Sequence, residues 1–218
     1  MFVTPETPIA AGPAIRDYVE GFLAEDDVLR AARARGRELG CTPIGPAGGA
    51  ALRFLAAALQ ARAVVEVGTG AGVSGLWLLR GMAADGVLTS IDVQPEHQRA
   101  ARQAFTAAGF GAGRTRLIMG RALDVLPRLT DGGYDLVFVD ALKTEYPRYA
   151  EHGVRLLRPG GVIAFDNALW SGRVVDQSVR DPDTAALREV THLVREDDRL
   201  APALLPVGDG LLVAARVA

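Results

Sequence analysis

Four carboxylates in this 218-residue chain stand in or at the end of short β-branched or apolar runs: Glu66 in AVVEV, Asp92 in VLTSID, Asp140 in YDLVFVD and Asp166 in GVIAFDN. The first run is followed at once by alternating glycines, VVEVGTGAGVSGLWLL, with Gly68, Gly70 and Gly72 at the junction. A glycine run between a buried strand and a helix lets a ligand approach the main chain closely, because no Cβ stands in the way. A plain turn is the alternative for these three glycines. The segment Gly70 to Gly75 also satisfies the dinucleotide pattern G-x-G-x-x-G, and Asp92 follows about twenty residues on, where an acid binds ribose hydroxyls. That pair alone does not separate NAD from S-adenosylmethionine, since both carry a ribose.

Glu66 tips the balance. It lies inside the strand, two residues before the glycines. A carboxylate there is unhelpful near a pyrophosphate but suits a ligand with a cationic α-amino group. Ser74, at the start of the following helix, is placed to donate to that ligand's carboxylate beside the helix N-terminus. Its alternative is a capping serine.

Asp140 and Asp166, with Asn167 adjacent, end two further apolar strands and face the crevice where such folds bind ligands. Acids gathered in a partly buried place repel one another, and a divalent cation relieves that repulsion. Two carboxylates and an amide oxygen make a hard-oxygen set suited to magnesium, with manganese or calcium also accepted. The alternative has Asp140 capping a helix and Asp166-Asn167 opening a turn. Lys143 follows Asp140 by three residues in a chain that otherwise uses arginine. Near a metal and partly dry, a lysine serves as general base, while a metal-bound hydroxyl becomes more acidic.

The elements that must hold these residues alternate. The first forty residues read as helix, notably 27–39 with Gly40 as its cap. CTPIGPAGG reads as a breaker-dense loop and 50–60 as the next helix. Strands are expected at 63–67, 87–92, 114–120, 134–140 and 161–167. Helices are expected through 76–79, at 95–109 with Pro95 at its first position, at 122–129, at 146–157 stopped by Pro159-Gly160-Gly161, and at 183–198. ALLPV and LLVAARV, joined by Gly-Asp-Gly, form a closing antiparallel hairpin. The fold class is therefore α/β: a Rossmann-like, doubly wound, mostly parallel sheet with a C-terminal antiparallel hairpin and N-terminal helical additions.

Composition excludes several classes. Apolar residues make up 49% and charged residues 23%, and net charge is −2, so nothing favours nucleic acid or an anionic membrane. No apolar stretch approaches the length of a membrane span, and the proline-broken, acidic N-terminus lacks a signal run. The single cysteine, Cys41, excludes an intramolecular disulfide and fits a reducing compartment. A cytoplasmic location is expected.

These blocks together resemble the cation-dependent O-methyltransferases of the catechol and caffeoyl-CoA type, above all the small bacterial members. The resemblance runs from TPIGPAGG to the closing GDGLLVA, with YDLVFVDALKTEYPRY and LLRPGGVIAFDNALWSGRV its most specific parts. It implies one class I S-adenosylmethionine-dependent methyltransferase domain over 1–218, with a helical extension at 1–61 and a core at 62–218. It implies that Ile44 touches the methyl donor, Glu66 holds its amino group above Gly68, Thr69, Gly70 and Gly72, and Ser74 meets its carboxylate. Asp92 would take the ribose, Ala122 would lie beside adenine, and Asp140 would border the donor. Asp140, Asp166 and Asn167 would bind the cation, Lys143 would be the base, and Trp170 and Arg173 would line the pocket of a small-molecule acceptor, a vicinal-dihydroxy aromatic. Homodimers are implied too. Leu142 stands where the family often has an acid, and Ala122 and Leu123 offer adenine no side-chain hydrogen bond, leaving backbone and shape to recognise it. Two other readings are carried forward: an NAD-dependent dehydrogenase, and a cofactor-binding protein without catalysis.

Overall fold

The computed structural model describes residues 12–217. Three helices come first: α1 (Pro13–Glu20), α2 (Asp27–Glu38) and α3 (Pro46–Ala58). Then follow β1 (Ala63–Val67), α4 (Val73–Gly81), β2 (Val87–Asp92), α5 (Pro95–Ala107), β3 (Thr115–Met119) and α6 (Ala122–Val125). The chain ends with β4 (Tyr134–Val139), α7 (Tyr146–Leu156), β5 (Leu157–Phe165), α8 (Pro182–Glu196), β6 (Leu200–Leu205) and β7 (Leu211–Arg216).

The seven strands form one sheet in the order β3-β2-β1-β4-β5-β7-β6. The first five are parallel, and β7 runs antiparallel to both β5 and β6. From β1 the chain winds outward through β2 and β3, then returns to β4 on the other side. Where the winding reverses, the carboxyl ends of β1 and β4 flank a crevice, the place where open α/β sheets bind ligands.

Two apolar layers fix those strand ends. Val65, Val67, Val137, Val139 and Phe165 pack with Tyr146 and Leu187 on the face covered by α6, α7 and α8. Val64, Leu136, Phe138 and Ala164 pack with Leu29, Leu52, Trp77 and Phe105 on the opposite face, under α2 to α5. Side chains alternate along a strand. Glu66 therefore shares a face with Val64 and points toward α4, where Ser74 lies.

Several boundaries differ from the sequence reading. Among the described residues up to 40, helix comes in two pieces, α1 and α2; the part of that expectation on residues 1–11 lies outside the described residues. Part of the expected CTPIGPAGG loop is helix: α3 begins at Pro46 behind the cap Gly45. Glycines are poor helix formers, but a Cβ on Gly49 would fall 2.3 Å from the Trp77 ring, so close packing of α3 on α4 decides. Pro159-Gly160-Gly161 does not stop α7, which ends at Leu156. It lies inside β5, where pairing with β4 shifts register and Gly160 takes φ +76°, the signature of a bulge. The first hairpin strand starts at Leu200, ahead of ALLPV.

Candidate active site

One cavity of about 830 Å³ opens over the carboxyl ends of β1, β2 and β4. Its lining joins most of the residues singled out above: Ile44, Gly68, Thr69, Gly70, Ser74, Asp92, Ala122, Asp140, Lys143, Asn167 and Trp170. Glu66, Gly72, Asp166 and Arg173 are not on its wall.

Glu66 is fully buried. Its Oε1 accepts from Ser74 Oγ at 2.6 Å and its Oε2 from Ser90 Oγ at 2.5 Å. Ser90 is its register partner on β2. Because Ser90 donates to Glu66, the 2.7 Å contact between Thr69 Oγ1 and Ser90 Oγ has Thr69 as donor, and Gln98 Nε2 donates to Thr69 in turn at 3.1 Å. Burial pushes the Glu66 carboxyl up to about 7, against the pull of the two serine hydroxyls. Ser74 thus caps nothing and stands between Glu66 and the cavity.

The glycines divide by cause. Gly68 takes φ +97°, and a Cβ there would fall 1.9 Å from the Asp140 carbonyl oxygen. Its constraint is the protein's own main chain, as a turn reading would have it. Gly70 is different: a Cβ there meets only Cys41 Sγ at 3.7 Å, leaving the cavity side open. Asp92 holds this loop from beneath, its Oδ2 accepting from the amides of Thr69 at 3.1 Å and Gly70 at 3.0 Å. Its Oδ1 accepts from the Gln94 amide at 2.9 Å, and His97 Nδ1 lies 3.1 Å from Oδ2. A carboxylate has about four lone-pair sites, so a ribose diol would compete with these donors, most easily with His97, whose other nitrogen sits 3.3 Å from Cys41 Sγ.

At the other end, Lys143, the chain's only lysine, donates from Nζ to Asp140 Oδ1 at 2.9 Å and to Tyr146 OH at 2.8 Å. Its ammonium lies 5.9 Å from the Trp170 ring. Asp166 is buried and raised above the ordinary carboxylate range, first by burial and then by the charge of Asp140. The two acids therefore sense each other. Among the described residues no three His, Cys, Asp or Glu side chains are grouped to hold a metal, so a cation here depends on Asn167 as a third protein ligand. Asn167, Trp170 and Ser171 all take left-handed backbone angles. That strained loop is latched to the Gly208-Asp209-Gly210 turn: Ala168 and Leu169 amides donate to the Gly210 and Asp209 carbonyls at 2.9 Å, and the Ser171 amide donates to Asp209 Oδ1. Arg173 leaves the cavity, pairing with Asp181 at 2.8 Å.

Sequence reasoning passed over Ser90, Tyr146, His97 and Glu145. Ser90 had a signal, since LTSID places it two residues before Asp92 on the same strand. The others gain their meaning only from packing.

Comparison with known proteins bears on this geometry. The family model described as O-methyltransferase matches residues 25–217. A relative from Mycolicibacterium vanbaalenii, assigned by name to the O-methyltransferases, is 57% identical over 203 residues, covering 93% of this chain and 90% of its own. One from Mycolicibacterium smegmatis is 54% identical, covering 95% and 99%. Among solved structures, the O-methyltransferase TomG of Streptomyces achromogenes, in complex with SAM, superposes with a TM-score of 0.85 at 30% identity, covering 94% of this chain and 96% of its own. A Bacillus cereus O-methyltransferase in complex with SAH gives 0.84 at 28% identity, covering 93% and 97%.

Proposed function

The chain belongs to the O-methyltransferase family, and from that premise we propose that it moves the methyl group of S-adenosylmethionine to a hydroxyl of a small aromatic acceptor with neighbouring oxygens, assisted by a divalent cation. One observation carries the reading. A single cavity joins the glycine loop, with Glu66 one hydroxyl behind it, to the cluster of Asp140, Lys143, Asn167 and Trp170.

The donor half suits an amino-acid tail. Ser74 and the glycine-loop amides lie at the start of α4, where a carboxylate is favoured, and Glu66 supplies the counter-charge for an ammonium. Held there, the donor presents an electrophilic sulfonium methyl.

In the acceptor half, the buried Asp166, its carboxyl driven up by burial and by Asp140, is the kind of group a cation satisfies. Asp140, Asp166 and Asn167 would hold it. A divalent cation held there would lower the pKa of an acceptor hydroxyl and favour an acceptor with a second oxygen beside it. As the free amine, Lys143 has two N–H bonds for Asp140 Oδ1 and Tyr146 OH, and its remaining lone pair at Nζ takes the hydroxyl proton. Trp170 gives the acceptor ring an apolar wall. Positioning and held charge supply most of the rate.

The test incubates the protein with S-adenosylmethionine and a panel of vicinal dihydroxy aromatics, with magnesium or with excess chelator, and follows methyl ethers by mass spectrometry. Methyl ether formation that chelator abolishes and magnesium restores is expected. Turnover indifferent to chelator would remove the cation from the reading, and no methyl ether from any vicinal diol would remove the acceptor class.

A further inference from the structure

Beyond Asp92, away from the glycine loop, the cavity wall passes to Val93 after β2, Ala122 after β3, and Leu142 and Glu145 after β4. Val93 and Leu142 are 52% and 57% exposed apolar side chains on loops at either side of β1. Such surfaces suit the faces of a flat aromatic ring. What reads the ring's edge is a separate question, because Ala122 carries no polar side-chain atom.

Glu145 answers it. Its Oε1 accepts from Arg121 Nη2 at 3.1 Å, and its Oε2 accepts from the Tyr149 hydroxyl. Arg121 and Tyr149 line the same cavity. Tyr149 stays a donor, since burial and its bond to Glu145 hold its phenol above the ordinary range. Each carboxylate oxygen thus keeps a lone pair while two donors from different elements fix its direction. Arginine can only donate, so Glu145 is the charged acceptor on this wall.

We propose that Glu145 selects the base of the methyl donor by accepting a hydrogen bond from the exocyclic amine of adenine, a deepening that rests on the donor reading above. Recognition by shape alone would not distinguish adenine from hypoxanthine, which has nearly the same outline. Hypoxanthine presents a carbonyl oxygen where adenine presents an amine, and a carboxylate repels it.

The test is calorimetric titration of the unaltered protein and of Glu145→Gln with S-adenosylhomocysteine and with S-inosylhomocysteine. The unaltered protein should prefer the adenosyl ligand by roughly tenfold or more, the scale of one hydrogen bond to a charged group. A glutamine amide donates to a carbonyl as well as accepting from an amine, so in Glu145→Gln the preference should shrink to about threefold or less. Both ligands are measured on the same variant, so any loss of folded protein cancels in the ratio. A Glu145→Gln ratio equal to that of the unaltered protein, or no preference in the unaltered protein, overturns the assignment of Glu145. Failure of the unaltered protein to bind either ligand overturns the donor reading itself, and this inference with it.

Discussion

Glu66 is a weak acid in the wrong solvent. Burial raises its carboxyl to about 7, and an arriving ammonium favours the ionised form. The sign follows: below pH 7 the carboxyl must lose a proton for the ligand to bind, and near or above 7 it need not. Affinity for S-adenosylhomocysteine should therefore fall by about tenfold per unit between pH 7 and 5. In Glu66→Gln it should be weaker and nearly flat across that window. Calorimetry over the range decides, and an equal slope in both proteins would assign the effect elsewhere. Glu66 was legible because a charged residue in an apolar strand is conspicuous. Its partner Ser90 was half legible: LTSID sets it on the strand of Asp92, and the β1–β2 register sets it opposite Glu66. Arg173 pairs with Asp181 and lies off the cavity wall, which its place in the sequence soon after Trp170 does not disclose.

At the scale of elements, the ends of β1 and β4 approach more closely than any side chain allows. Gly68→Ala would force its Cβ against the Asp140 carbonyl in a backbone region alanine avoids, at a cost of about 3 kcal/mol or more. Gly70→Ala, with open space before it, should cost only about 1–2 kcal/mol. Urea unfolding of the two variants compares them directly, and equal losses would refute the close approach as the cause. Strands were legible where β-branched runs met turn residues, as in AVVEV and YDLVFVD. The starts of α3 and β5 were not, because Gly49 is chosen by Trp77 and Gly160 by a bulge. Local preference carries neither fact.

At the scale of the molecule, the doubly wound sheet was legible from alternation alone, since a parallel pair needs a crossover and the only short link joins the last two strands. How α1 is covered was not. None of its residues is buried, and Tyr18, Phe22 and nearby Phe54 are 70–74% exposed. An eight-residue helix does not persist on propensity alone, so a second copy of the chain is the proposed cover. Light scattering should give twice 23.0 kDa, and Tyr18→Ser with Phe22→Ser should halve it; a monomer at every concentration would leave the face without that role. The latch between residues 168–171 and the Gly208-Asp209-Gly210 turn also makes the shape of the acceptor wall depend on the hairpin. The glycine loop and Asp92 hold each other within residues 68–92, whereas the loop that carries Asn167 and Trp170 takes its backbone partners from residues 209 and 210. Loosening the hairpin turn would therefore disturb the seat of the molecule to be methylated while leaving the bonds between Asp92 and the glycine loop in place.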